Sequence, residues 1–294
     1  MSTASEAPGV TLAEENGLPV MRVRNRFGSL SIFRQGAHVT EYVPEGEPAV
    51  LFTSARSRFE VGKAIRGGVP ICFPWFGPHV TRKELPAHGF ARTSAFDYRG
   101  SRAGEGGETT LHFSLASGAG TRDAFPHEFS LDYEVTLGKS LGLRLRVTNT
   151  GSSHFSFEEA LHSYFAVADA RDVEVTGLSG EPYVDQLSGR SEVEGTAPIR
   201  IAAEVDRVYR SRAECRIIDR GLSRAIVVRK QRSESTVLWN PWIEKSRRLL
   251  DFGDEEYLRM LCIESANVRP HAVELGPSGL HELEVELESV RLDG

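Results

Sequence analysis

Two runs of strict alternation constrain this chain more than any other feature: Leu131, Tyr133, Val135 and Leu137, then Leu141, Leu143, Leu145 and Val147. Asp132, Glu134 and Thr136 separate the first set, and Gly142, Arg144 and Arg146 the second. Side chains that repeat every two residues lie on one face of a strand, so each run predicts a strand with one buried face. Gly138-Lys139-Ser140 between them predicts a hairpin. The same period recurs at Leu111-Phe113-Leu115 and at Leu283-Val285-Leu287, where Glu282, Glu284, Glu286 and Glu288 occupy the opposite face and read as a solvated strand face rather than a site. Ala225 to Val228 is a short apolar run suited to a strand buried on both faces. Frequent glycines and prolines break the chain, and no long helical pattern with caps stands out. The fold class is therefore all-β, a large and mostly antiparallel β-sandwich. Sandwiches of this kind can use 294 residues as one unit, and composition does not shift as it would at a linker. Residues 1–9 are expected to be a disordered N-terminus and 10–294 a single domain.

Composition removes several functions. At 40% hydrophobic and 26% charged the chain is an ordinary globular one, and its net charge of -6 argues against a nucleic-acid partner, which would require a large basic surface. A small anion remains possible through a local cluster of arginines. Cys72, Cys215 and Cys262 are odd in number, flanked by apolar residues and not spaced as metal ligands, so they read as buried free thiols. No apolar run reaches transmembrane length, and MSTASEAPG lacks the basic and apolar regions of a signal peptide, which makes the cytoplasm the expected compartment and excludes a membrane partner.

A few polar groups stand out against the apolar pattern. In FSFEEALHSYFA, Phe155, Phe157, Leu161 and Phe165 fall on one face while Glu158, His162 and Tyr164 share the other. Glu264 in LCIES directly follows a strongly apolar strand, and is either a strand-end group reaching water or a carboxylate held at low dielectric. LPAHGFAR offers His88 beside a glycine that permits close backbone approach, with Arg92 four residues on. EVDRVY carries Asp206 in a strand-like run. Each has a structural alternative: His162 as a hydrogen-bonded strand residue, His88 as a turn cap, Arg92 and Asp206 as ordinary ion-pair partners. In IRGGVPICFPWFGP, Arg66 precedes two glycines that would let a ligand approach backbone amides, or else it sits in a rigid turn and pairs with a nearby acid. Trp239 and Trp242 in LWNPW could stack on a sugar or fill the core.

The combination is more specific than its parts. IRGGVPICFPWFGP, LPAHGFAR, ALHSYF, GLSGEPYVDQ, EVDRVY, LWNPW and LCIES, in this order over residues 20 to 288, resemble the aldose 1-epimerase (galactose mutarotase-like) superfamily, and within it the glucose-6-phosphate 1-epimerase branch. The resemblance implies a β-supersandwich and interconversion of sugar anomers without metal or other cofactor. It implies His162 and Glu264 as the catalytic pair and His88 and Asp206 as sugar-binding groups. Anomerisation removes a proton from O1 and delivers one to the ring O5, so it needs a base and an acid about one acetal-like centre. On this reading Glu264 is the ionised base and His162 the protonated acid, while Asp206 and His88 hold hydroxyls. A guanidinium matches phosphate geometry well, and Arg66 and Arg92 are the expected ligands of a 6-phosphate. The substrate would be a hexose 6-phosphate and the protein a monomer. A mutarotase of neutral aldoses and a non-catalytic carbohydrate-binding protein of the same fold are the alternatives.

Overall fold

The alternating runs form the hairpin that their period implies, strands Phe129–Leu137 and Leu141–Asn149 pairing antiparallel with Leu137 opposite Leu141. The structure is a computed structural model and describes residues 6–292. The hairpin belongs to an eight-stranded antiparallel sheet that also contains Thr109–Ala116, Arg224–Gln231 and Leu280–Arg291. Ala225, Ile226, Val227 and Val228 are buried on both faces, as expected. The glutamate row of the last strand meets Arg144, Arg146, Arg229 and Arg232 in ion pairs across neighbouring strands.

A second eight-stranded sheet packs against the first. Its order runs Ser191–Val193, Pro182–Asp185, Val205–Arg210, Ser235–Asn240, Met260–Asn267, Glu159–Leu161 and Ile71–Cys72, and Tyr164–Ala166 also pairs with Met260–Asn267. Tyr133, Leu145, Ile226 and Leu283 of the first sheet share one core with Leu161, Leu238, Leu261 and Ile263 of the second, which makes the architecture an antiparallel β-sandwich. Each such side chain gains roughly 2 kcal/mol on full burial. A one-residue slip would turn the whole set outward, so the alternation fixes the register. Among the described residues no helix is long and apolar enough to cross a membrane.

The far side of the second sheet is covered as well. Strand Met260–Asn267 is buried along its full length. Leu261 and Ile263 enter the sandwich core, while Cys262, Glu264 and Ala266 point the other way, among Cys72, Phe76, Ala160, Tyr164, Val208, Val237 and Trp239. Lys245 of the short helix Trp242–Arg248 reaches Asp206 and Trp239 on this face, and Asp251 after the helix reaches Arg66.

Three expectations need correction. Residues 6–9 are not disordered: the Ala7 amide donates to Ser101 Oγ at 2.8 Å, Ser101 Oγ donates to Glu6 at 2.6 Å, and the Gly9 carbonyl accepts from Arg24 N, which ties this segment to two strands. Residues 1–5 of that expected tail lie outside the described residues. Glu264 does not follow its strand but stands inside it, because Ser235–Asn240 keeps pairing as far as Ala266 and Glu159–Leu161 as far as Asn267. The segment FSFEEALHSYFA is three short strands, Phe155–Phe157, Glu159–Leu161 and Tyr164–Ala166, since the backbone turns aside at His162 to bond Pro70 O and at Tyr164 to bond Gly68 O. The facing of its side chains survives the breaks: Phe155, Phe157, Leu161 and Phe165 all join the main core. All three cysteines are buried and free.

Candidate active site

His162 and Glu264 meet on the covered far face of the second sheet, with Nε2 and Oε1 3.2 Å apart and the two side chains 7% and 1% exposed. Glu264 is thus the low-dielectric carboxylate of the two sequence readings. The His162 ring lies parallel to Tyr164 at 4.7 Å and 9°, and edge-on to Trp239 at 6.0 Å and to His88 at 5.6 Å. Among the described residues neither His162 Nδ1 nor Glu264 Oε2 has a hydrogen-bond partner.

Burial sets the charge state of the pair. It holds the His162 imidazole well below its ordinary range, with the charges of Arg92 and Arg66 acting in the same direction. It also raises the Glu264 carboxyl well above its ordinary range, helped by Asp206 and opposed by Arg92. Both shifts favour the neutral forms, a carboxylic acid beside a neutral imidazole, over the ionised Glu264 and protonated His162 expected from sequence. Two buried charges lose solvation that one contact at 3.2 Å does not replace. The pair carries one proton in either arrangement.

His88 sits in the left-handed region at φ 65°, next to Gly89. A Cβ on Gly89 would stand 1.9 Å from the Phe73 carbonyl oxygen, so the expected close backbone approach is real and only glycine permits it. Burial, with Arg92, Arg66 and Lys245 adding to it, pushes the His88 pKa down to about 3. The Gly77 amide donates to His88 Nδ1 at 3.4 Å, which assigns the proton to Nε2 and makes the ring a neutral donor. Phe76 packs edge-on against it at 4.8 Å.

Arg66 is not free. Its Nε is 3.2 Å from Asp251 Oδ1, its Nη2 3.2 Å from Oδ2, and its Nη1 donates to Tyr164 Oη at 3.2 Å. Burial works against its charge, and Tyr164 and Asp251 more than offset that loss. The two glycines after it do not open space for a ligand. A Cβ on Gly67 would fall 2.4 Å from Phe52 O and one on Gly68 2.1 Å from Val39 O, so both make room for neighbouring backbone.

Arg92 differs. Its Nη2 donates to Ala87 O at 2.6 Å, its enclosed Nε has no partner, and among the described residues no carboxylate lies within ion-pair distance of it. Burial lowers its pKa, with the nearby Arg66 charge acting the same way. Asp206 stands across from Trp239 in strand Val205–Arg210, with Oδ2 3.6 Å from Lys245 Nζ. Burial raises its pKa and Lys245 opposes the rise. Lys245 also pairs with Glu204 at 3.1 Å and lies 5.6 Å over the Trp239 ring.

All six residues singled out from sequence therefore border one face of one sheet. Sequence reasoning passed over Lys245 and Asp251, which arrive on the helix and loop after LWNPW, where no period or motif announces them. Trp239 belongs to this face, whereas Trp242 packs on Tyr257 and the main core. Among the described residues no group of three or more His, Cys, Asp or Glu side chains is arranged to hold a metal ion.

The chain is similar to known proteins over most of its length. The family model described as aldose 1-epimerase matches residues 19–288. A protein of Escherichia coli (strain K12) named "Putative glucose-6-phosphate 1-epimerase" is 37% identical over 236 residues, 79% of this chain and 77% of that protein. One of the same name from Haemophilus influenzae is 30% identical over 283 residues, 92% and 93% of the two chains. The crystal structure of a "putative mutarotase" from Salmonella typhimurium superimposes with a TM-score of 0.90 at 30% identity, covering 97% of this chain and 95% of that one.

Proposed function

The chain belongs to the aldose 1-epimerase family, and we propose that it interconverts the α and β anomers of a hexose 6-phosphate. The observation that carries the reaction is the buried His162–Glu264 contact, one proton shared between an acid and a base at 3.2 Å with an unused atom left on each group. A proton shift along that contact converts the neutral pair into carboxylate and imidazolium. Glu264 then takes the O1 proton as the C1–O5 bond breaks and the C1=O1 bond forms, while His162 delivers its proton to O5. Rotation about C1–C2 turns the other carbonyl face to O5, and reclosure runs the same transfers backward. The pair returns to its starting state in each cycle.

The neighbours suit the remaining polar atoms of a sugar. Asp206, kept available as an acceptor by Lys245, and His88, a neutral Nε2 donor, would hold hydroxyl groups. Arg92, a cation with no acid partner among the described residues, and Arg66, whose guanidinium keeps donors beyond those spent on Asp251 and Tyr164, would receive the 6-phosphate. Exchange NMR of glucose 6-phosphate and of glucose tests the reading. Faster anomer exchange of the phosphorylated sugar at equal protein concentration is the expected result, and equal kcat/KM on the two sugars would move the assignment to neutral aldoses.

A further inference from the structure

The phosphate end and the acid–base pair are joined by one side chain. Tyr164 is 1% exposed, its ring covers one face of the His162 imidazole, and its hydroxyl accepts a hydrogen bond from Arg66. Its backbone is tied to the same region, because Tyr164 N donates to Gly68 O at 2.8 Å and Phe52 N donates to Tyr164 O at 3.0 Å. Trp239 stands edge-on to both rings, at 5.9 Å from Tyr164 and 6.0 Å from His162, so the stack has no room to slide on that side. Arg66 in turn is clamped by Asp251 along its Nε and Nη2 edge. A guanidinium has five N–H donors, and this clamp with the Tyr164 contact uses three, leaving one on Nη1 and one on Nη2 for the oxygen atoms of an anion.

We propose that Tyr164 is a positioning residue through which occupation of the phosphate site fixes the His162 imidazole, so that the phosphate raises kcat and not only affinity. The inference rests on the phosphate reading given above. An anion seated on Arg66 holds the guanidinium between itself and Asp251. The phenol oxygen then has one fixed donor, and the ring stacked on His162 stops tilting. Small errors of alignment cost rate because proton transfer to O5 needs hydrogen-bond geometry. An anion would also relax the effect of Arg66 and Arg92 on His162 directly through space, and that route does not need Tyr164.

The two routes separate when the substrate is supplied in pieces. D-Xylose, an aldopyranose without carbon 6, is assayed with and without phosphite dianion, and the anion's own catalysis of anomerisation is subtracted. Phosphite should raise kcat of the native protein about tenfold or more. Tyr164→Phe keeps the ring and removes only the acceptor. Its activation should fall to about twofold or less, while phosphite still inhibits glucose 6-phosphate turnover with a Ki within about threefold of native. Undiminished activation in Tyr164→Phe overturns the positioning role and leaves the phosphate reading standing. Loss of phosphite binding together with activation also overturns it, since Tyr164 would then be a simple ligand. A native protein that phosphite does not activate and that treats glucose and glucose 6-phosphate alike loses the phosphate site and the coupling with it. A measurement on native protein covers a variant that fails to fold: saturating phosphite should shift the Tyr164 ring resonances together with those of the His162 imidazole, and a His162 shift with unmoved Tyr164 resonances overturns the proposal.

Discussion

Removing Arg66 should damage turnover of the phosphorylated sugar twice over, because its partner stays behind. Arg66→Ala deletes a charged contact to a dianion in a partly dry site, a loss of about 2 kcal/mol or more. It also leaves Asp251 unpaired. At a separation of about 6 Å and an effective dielectric of about 20, the nearer charge of the phosphate would meet roughly 3 kcal/mol of repulsion, and water entering the gap reduces the whole penalty toward 1. Both side chains of the ion pair are 22% exposed, so the lower half of that range applies. The combined loss is about 3 to 4 kcal/mol, on the order of 10² to 10³ in kcat/KM for glucose 6-phosphate. Glucose carries no anion and should lose less than about tenfold. Adding Asp251→Asn to Arg66→Ala removes the orphan carboxylate and should restore about 1 kcal/mol, roughly fivefold, on the phosphorylated sugar only. The assay is exchange NMR on both sugars for the native protein, the two single variants and the double. Equal losses on the two sugars in folded variants, or a double variant no better than Arg66→Ala, would refute the reasoning and return Arg66 to a turn held by Asp251.

Glu264→Gln and His162→Asn should each lower kcat by about 10² to 10⁴ with little change in the melting transition, and a folded variant with near-native exchange would take that residue out of the mechanism. The pH–rate profile should be broader than an unperturbed pair allows. Burial disfavours both the second proton that acid would add to the pair and the loss of its one proton in base, so a narrow bell confined between 4.5 and 6.5 would contradict a buried one-proton pair. His38 is fully buried with Nε2 2.7 Å from Gly67 O, and burial lowers its pKa from 6.5 to about 4. Its neutral form is favoured in the folded state, so stability is full above pH 6.5 and falls by roughly 3 kcal/mol as pH drops through 4. Urea midpoints at pH 7 and pH 4.5 should show a smaller acid loss in His38→Gln, and an unchanged loss would exclude His38 as a source.

The fold was legible because the hydrophobic period is a local signal. Leu131 to Val147 and the Glu282 to Glu288 row state their own faces, and pairing follows from turn length. Glu159 was not legible. It shares its face with Leu161, yet its polar side chain is buried there because His281 Nε2 lies 2.8 Å and Asn267 Nδ2 2.9 Å away, on strands that only the folded chain brings near. The site residues were legible as types and, through the resemblance, as a set. Their charge states were not, since the direction in which His162 and Glu264 shift depends on burial from every side. Gly67 and Gly68 misled for a related reason: glycine marks a close approach but does not say whether ligand or backbone approaches, and here it is the backbone of Phe52 and Val39.

Charge around the pair is nearly balanced, and the imbalance lies where the phosphate reading needs it. Asp251 answers Arg66, and Glu204 with Asp206 answers Lys245, which leaves Arg92 as the cation without an acid partner among these residues. An ionised Glu264 in the resting state would supply that partner and compete with an incoming dianion for the field of Arg92, which acts on Glu264 already. A protonated Glu264 does not. Burial of the pair therefore serves two ends from one cause: it keeps the proton that O5 must receive inside the site, and it keeps the field of Arg92 open to a phosphate. A neutral sugar would gain nothing from the second arrangement, so the neutrality of Glu264 and the freedom of Arg92 belong to a single argument for a phosphorylated substrate.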